Sequence, residues 1–307
     1  MSSRVRGKEN ARALAAEMRA NQAREAQRRR VLLATGAIAV VIVIVVGLVL
    51  VKVMGKDDDT TTAASPKAAT SALPAAVLKD VTTVPASVSD TVGAAGVTSV
   101  PQSIDAPALT DNGKPKVLYI GAEFCPYCAA ERWPVTVALS RFGTFSNLGT
   151  THSASEDVFP NTATLSFHGA TYTSQYLAFT GVETTTNEMV GNGYKPLDTP
   201  TAEDQKTFDT YNKPPYVESD GSIPFIDLGG KFVNSGATYS PEVLAGKTQT
   251  QIADALKDPS SPIAKAVLSS ANVYTAAICK LTNNQPAKVC STDTVTAAAA
   301  KLGSAKG

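Results

Sequence analysis

The stretch from residue 115 to residue 128, with the sequence PKVLYIGAEFCPYC, constrains the fold more than any other part of the chain. Residues 117–120 form an apolar run between a proline and a glycine, which predicts a buried strand. The residues after Cys125 are good helix formers. Pro126 suits a first helical turn because its missing N–H removes only a donor that is unpaired there. The sequence therefore places Cys125 at a junction between a strand and a helix.

Two cysteines at such a junction predict redox chemistry. The unpaired N–H groups and the dipole at the helix start favour the thiolate of Cys125, which is the form that attacks a disulfide. Cys128 lies one helical turn later, where it can resolve a mixed disulfide. Cys125 and Cys128 are therefore the predicted catalytic residues, with Cys125 as the nucleophile.

A zinc site is disfavoured at these cysteines. Structural zinc needs four ligands, and the sequence offers only two histidines, His152 and His168, which do not form a ligand-like doublet. We predict that His152 lies in a loop. Polar and apolar residues alternate over residues 161–182, which predicts a β-hairpin with His168 at its tip. No metal and no cofactor is predicted.

Residues 122–128 resemble the active-site stretch of the thioredoxin superfamily, and residues 221–231 resemble its cis-proline loop with the β-hairpin that follows. The resemblance implies a cis bond before Pro224 and places Pro224 beside Cys125. It also implies a set of substrate-binding residues, namely Pro126, Tyr127, Ile223 and Pro224. Where thioredoxins carry a buried acid, six positions before the first cysteine, this chain has Tyr119, which leaves Glu123 or a water as the substitute proton acceptor.

A narrower resemblance covers residues 75–303. The stretch from residue 113 to residue 149, residues 172–174 and the cysteines at 279 and 290 resemble a membrane-anchored family, domain of unknown function 929. The two resemblances together imply an α/β, thioredoxin-like fold. It has an insertion between the helix of the two cysteines and the cis-proline strand, a helical C-terminal extension, and one preceding transmembrane helix. Helix signals place further helices at residues 202–211, 248–257, 262–282 and 292–302.

The transmembrane prediction rests on residues 31–51, which contain no charged residue. As a helix they span about 31 Å, which matches the hydrocarbon core of a bilayer. A cleaved signal peptide is disfavoured because the polar segment before this run and the run itself are both too long. The predicted organisation is a cytoplasmic basic arm at 1–30, a transmembrane helix at 31–54, a flexible linker at 55–74 and an extracytoplasmic domain at 75–307.

Charge supports that orientation. Residues 1–30 carry nine Lys and Arg against three Glu, and this excess before the span predicts a cytoplasmic N-terminus at the cell membrane. The remaining residues carry 19 basic and 24 acidic side chains, so no nucleic-acid partner is predicted.

The second pair of cysteines, Cys279 and Cys290, lies 11 positions apart across a loop with a proline. Neither lies at a strand-to-helix junction, so a structural disulfide is predicted rather than a second redox pair. Closing so short a loop stabilises a fold by about 3 kcal/mol in the chain-entropy model. Two local pairs of cysteines suit an oxidising compartment.

Two functions remain open from the sequence. The first is a membrane-anchored thiol–disulfide oxidoreductase that acts on protein thiols or disulfides of secreted or membrane proteins and is recycled by a membrane or extracytoplasmic redox partner. The second is a binding or assembly protein that keeps the thioredoxin-like fold with an inert disulfide. An exposed Cys125 sulfur in contact with the Pro224 loop favours the first function, and a buried pair under the insertion favours the second.

Overall fold

The computed structural model of the chain describes residues 71–303. The helices are α1 (Ala75–Thr82), α2 (Ala86–Val92), α3 (Pro126–Ser140), α4 (Ala202–Tyr211), α5 (Gln249–Ala255), α6 (Pro262–Leu281), α7 (Ala287–Cys290) and α8 (Asp293–Ala299), with a 3-10 turn at Pro241–Leu244. The strands are β1 (Ser71–Ala72), β2 (Gln102–Ser103), β3 (Thr110–Asp111), β4 (Lys114–Gly121), β5 (Thr144–Ser146), β6 (Gly149–His152), β7 (Ala163–Ser166), β8 (Thr171–Thr173), β9 (Ala178–Glu183), β10 (Thr185–Val190), β11 (Gly193–Pro196), β12 (Phe225–Leu228) and β13 (Phe232–Ser235).

Strand β4 is the centre of the largest sheet. It pairs in parallel with β9 and antiparallel with β12, and the sheet continues through β13 to β2, while β3 forms a hairpin with the start of β4. The apolar residues 117–120 of β4 are all buried, as expected for a strand covered on both faces. This sheet therefore holds the end of β4, and with it the start of α3, in a fixed position.

Helices cover both faces of this sheet. On one face α3 packs against α6, and nearly every residue of α3 is buried, including Trp133 and the internal Pro134. On the other face α4 packs its Phe208 ring against Phe225 at 5.5 Å between centroids. The pair of Lys116 and Asp204, with Nζ and Oδ1 2.5 Å apart, ties α4 to β4.

The remaining strands form three smaller sheets, β1–β6–β7, β5–β8 and β10–β11. The hairpin predicted over residues 161–182 was wrong, because β7 pairs with β6 and β8 pairs with β5. The polar and apolar alternation correctly indicated strands, but alternation specifies which side chains are buried and not which strand lies alongside. His168 consequently lies between strands of two different sheets rather than at a hairpin tip.

The predicted fold class, an α/β thioredoxin-like fold with one insertion between the helix of the two cysteines and the cis-proline strand, was wrong. Residues 71–303 form a mixed α/β structure with four separate sheets. The segment between the two sequence motifs is not a single addition to a standard sheet, because it supplies β9 to the central sheet and also strands to all three smaller ones. Partner choice among these short strands depends on long-range packing, which a local motif does not specify.

The membrane segment predicted from the sequence is not among the described residues. None of the helices within residues 71–303 combines the length and the apolar character needed to cross a bilayer. The predicted basic arm at 1–30, the transmembrane helix at 31–54 and most of the linker at 55–74 lie outside the described residues. The end of that linker segment, Ser71–Ala72, forms β1 and pairs with β6.

The helix predictions near the C-terminus and at residues 202–211 are confirmed within a few residues. Helix α4 has the predicted bounds, and the side chain of Thr201 caps it by accepting a hydrogen bond from the N–H of Asp204. Helix α5 begins with a capping box between Thr248 and Gln251. These starts are determined by residues within one turn of each other, so they are visible in the sequence.

Candidate functional site

The first cysteine lies where β4 leads into α3. Cys125 is the N-cap residue of α3, with φ −77° and ψ 122°, and Pro126 is the first helical residue. The Sγ of Cys125 accepts a hydrogen bond from the backbone N–H of Cys128 at 3.3 Å. The sulfur therefore takes the place that a serine or aspartate oxygen takes in an ordinary cap, facing unpaired N–H groups at the positive end of the helix.

The pKa values of the two thiols are shifted in opposite directions. A hydrogen bond from the Cys128 thiol, opposed in part by burial and aided by backbone N–H groups and the charge of Arg132, lowers the pKa of Cys125. Burial raises the pKa of Cys128 well above its usual value, and its hydrogen bond to Cys125 raises it further. This order makes Cys125 the first of the two thiols to lose its proton when both are reduced.

The loop around Pro224 lies against the first cysteine. The bond between Ile223 and Pro224 is cis, as predicted, and the thiol of Cys125 lies 3.8 Å from the carbonyl oxygen of Ile223. The side-chain amide of Asn212 donates to the carbonyl of Ser222 at 2.8 Å and holds this loop against the end of α4. The structure thus brings together residues that are 98 positions apart in the chain.

The predicted site residues differ in exposure. Cys125 is 5% exposed, Cys128 is fully buried, and Tyr127 between them is 42% exposed. Pro224 is buried and Ile223 is partly exposed. Tyr127, which lies between the two cysteines, is therefore more accessible than either of them.

A buried ion pair lies behind the cysteines, and the sequence analysis did not identify it. Arg132 donates from Nε and Nη2 to both carboxylate oxygens of Glu183, at 2.8 and 2.6 Å, and from Nη2 to the carbonyl of Ala122 at 2.8 Å. Both side chains are fully buried. Burial lowers the pKa of Arg132, but the charge and hydrogen bonds of Glu183, together with nearby Tyr119 and Cys128, raise it by more, so the guanidinium stays charged. The sequence signal was the position of Arg132, four residues after Cys128 and hence on the same helix face.

Glu123 was the side chain considered from the sequence as a substitute proton acceptor, and Tyr119 stands at the position of the thioredoxin acid. The carboxylate of Glu123 accepts a hydrogen bond from the Ser166 hydroxyl at 2.6 Å. Tyr119 is fully buried, and its ring meets Phe167 edge-on with centroids 4.9 Å apart. Glu123 is therefore engaged with β7, while Tyr119 faces the helix that carries the cysteines.

The second pair of cysteines forms a disulfide. Cys279 and Cys290 are joined with an S–S distance of 1.98 Å and Cα atoms 5.6 Å apart. The bond connects the end of α6 to the end of α7, and both residues are buried. It lies in the C-terminal helical part of the fold, separate from the Cys125 pair.

Comparison with known proteins gives a family and no function. No curated protein and no solved structure matches the chain. One family model, described as a domain of unknown function (DUF929), matches residues 101–195 and 190–280, which contain the Cys125 and Cys128 pair, the buried ion pair and the Pro224 loop. Because this match spans more than half of the chain, the protein belongs to the DUF929 family.

Proposed function

We propose that this protein is a membrane-anchored, extracytoplasmic thiol–disulfide oxidoreductase that uses Cys125 and Cys128. The observation that carries the proposal is the Cys125 sulfur at the start of α3, where a backbone N–H donates to it at 3.3 Å and its pKa is lowered. A thiolate held at that position is the nucleophile that disulfide exchange requires.

The reaction proceeds in two exchanges. The Cys125 thiolate attacks a client disulfide, forms a mixed disulfide and releases one client thiolate. The Cys128 thiolate then attacks the Cys125 sulfur, which forms the Cys125–Cys128 disulfide and releases the second client thiolate. The client gains two electrons and the cysteine pair loses them. The reverse sequence oxidises a client dithiol.

The surface near Cys125 supports a polypeptide client. Four large apolar side chains are exposed among the described residues: Tyr127, Val158, Met189 and Val190. The ring of Tyr127 packs against Phe159, the residue after Val158, with ring centroids 5.9 Å apart. Phe124 stacks on Tyr194 of β11, with ring centroids 4.2 Å apart. Tyr194 in turn pairs with Met189 on the neighbouring strand β10. An apolar surface beside the nucleophile suits apolar segments of an unfolded or secreted protein.

The client and recycling partners follow from the proposed location. The basic excess before residues 31–51 supports an N-terminus in the cytoplasm and a site outside it. Clients are then secreted or membrane proteins, and a membrane or extracytoplasmic redox partner recycles the cysteine pair. A reporter that is active only outside the cytoplasm, fused after Gly307, is expected to be active. An inactive fusion there, with an active one at residue 2, refutes this orientation.

One observation favours a different function. Cys125 is only 5% exposed, which suits a binding or assembly protein in which the cysteine pair is inert. In that case a bulky disulfide cannot reach the Cys125 sulfur, and the exposed apolar surface binds a partner without exchange.

A trapping experiment separates the two functions. Cys128→Ser removes the resolving thiol, so mixed disulfides between Cys125 and clients are expected to accumulate, whereas the Cys125→Ser/Cys128→Ser variant captures none. The reduction potential of the wild-type pair is expected between about −230 and −120 mV, the range from glutaredoxins to strong oxidants. No capture, together with a potential below about −300 mV as in structural disulfides, favours the binding function.

A further inference from the structure

Two hydrogen-bond donors behind the cysteines lack a partner. Among residues 71–303, neither the hydroxyl of Tyr119 nor the Nη1 of Arg132 makes a hydrogen bond, although both side chains are fully buried. A buried donor without a partner destabilises a fold, and phenylalanine at position 119 would avoid that cost. Two such groups in one place indicate that they have a partner in another state of the protein.

The backbone leaves room for the Tyr119 hydroxyl. Gly121 stands two residues after Tyr119 on the same face of β4, and a Cβ at that position would lie 2.5 Å from the hydroxyl oxygen. The hydroxyl therefore occupies the space that a side chain at position 121 would fill. This position is toward the end of β4 that leads to Cys125.

Arg132 lies one helical turn after Cys128 on α3, and Tyr119 lies beside Arg132. The pKa of Tyr119 is raised mainly by burial; the charge of Arg132 opposes the shift, and the negative charges of Cys128, Glu183 and Cys125 add to it. The guanidinium carbon of Arg132 lies 6.0 Å from the centre of the Tyr119 ring. The charge of Arg132 in turn lowers the pKa of Cys128, against the larger effect of burial. The three groups therefore form one cluster on the inner side of α3.

A charge at Cys128 needs hydrogen-bond donors of this kind. In the reduced protein the Cys128 thiol donates its hydrogen bond to Cys125. A mixed disulfide at Cys125 removes that acceptor charge, and Cys128 must then lose its proton in a fully buried position. A buried thiolate without donors is strongly disfavoured.

We propose that the Tyr119 hydroxyl and the Nη1 of Arg132 are the donors that stabilise the Cys128 thiolate in the second exchange. This inference rests on the proposed function. The Cys128 thiol gives its proton to solvent, and its thiolate attacks the Cys125 sulfur of the mixed disulfide. The Cys125–Cys128 bond forms, the bond to the client breaks, and the client leaves as a thiolate. Tyr119 keeps its own proton throughout and serves as a donor rather than a base.

The two exchanges can be timed separately with an aromatic disulfide that releases a coloured thiolate. In the reduced full chain, with the Cys279–Cys290 disulfide intact, the first release reports attack by Cys125. The second release reports displacement by Cys128. Tyr119→Phe is expected to slow the second release about tenfold at neutral pH and to move its pH midpoint up by about one unit, as expected for the loss of one hydrogen bond to a thiolate. The first release is expected to stay within about twofold.

Tyr239→Phe is the matched control. Tyr239 is also buried behind α3, but its hydroxyl already donates to the carbonyl of Ala130 at 2.7 Å. The control is expected to leave the second release and its pH midpoint unchanged. A second variant, Gly121→Ala, displaces the Tyr119 hydroxyl without removing it and is expected to slow the second release in the same way.

The outcomes separate this inference from the function on which it rests. If Tyr119→Phe leaves the second release unchanged at every pH, or if Tyr239→Phe slows it equally, the inference is overturned while the oxidoreductase function stands. If the wild-type chain shows no first release, the proposed function fails and the inference fails with it.

Discussion

Glu131 provides a direct test of how burial controls charge in this fold. It lies on α3 and is fully buried. Its carboxylate accepts hydrogen bonds from the N–H of Thr238 at 2.9 Å, from the Thr238 hydroxyl at 3.0 Å and from the Tyr274 hydroxyl. Burial raises its pKa from 4.5 to about 7, and these three donors only partly oppose the shift.

The shift makes stability depend on pH with a defined sign. Between pH 4.5 and about 7 the folded protein keeps a proton on Glu131 that the unfolded chain has lost. Raising the pH through this range therefore destabilises the fold, and above about 7 the loss is constant because Glu131 is ionised in both states. A shift from 4.5 to about 7 corresponds to about 3 kcal/mol of unfolding free energy.

Glu131→Gln removes the titration while keeping the shape of the side chain. We expect the unfolding free energy of the wild type, minus that of the variant, to fall by about 3 kcal/mol between pH 4.5 and 8. Urea unfolding of the full chain at intervals over this range measures the difference, in which all other titrating groups cancel. Glu203→Gln, at an exposed position in the first turn of α4, is the control and should give a flat difference. A flat difference for Glu131→Gln, or one of opposite sign, refutes the reasoning.

Two further predictions concern stability. Cys279→Ser/Cys290→Ser is expected to lower the unfolding free energy by about 3 kcal/mol, measured in urea, without changing the thiol reactivity of the other cysteine pair. Peptide mapping that shows a different pairing in the non-reduced protein contradicts it. Glu183→Gln leaves the buried charge of Arg132 unpaired and is expected to cost about 3–5 kcal/mol. Asp80→Asn breaks a partly exposed ion pair with Lys257 and is expected to cost clearly less. Equal costs for these two variants contradict the role assigned to burial.

The junction that holds Cys125 could be predicted from the sequence because its determinants are local. An apolar run specified β4, and Pro126 marked the first turn of α3. The same holds for α4, whose bounds follow from the Thr201 cap and the residues next to it. Hydrogen bonds within one helical turn depend on neighbours in the chain, so the pattern of residue types is sufficient to place them.

Strand pairing and the fold class could not be predicted in this way. Strands β7 and β8 are recognisable in the sequence, but each pairs with a strand outside the expected hairpin. A two-residue periodicity indicates which side chains are buried and leaves several partners compatible with the same pattern. The outcome, four separate sheets, depends on how the whole chain packs.

The sequence by itself determined where Cys125 lies, at a helix start with Cys128 one turn later. Only the tertiary structure decided what surrounds it: the Ile223 carbonyl 98 positions away, the Arg132–Glu183 pair across 51 positions, and the burial that leaves Cys125 5% exposed. Position along a helix follows from local backbone geometry, whereas burial and charge pairing arise when distant segments exclude water together. The acidity of both thiols depends on that second process.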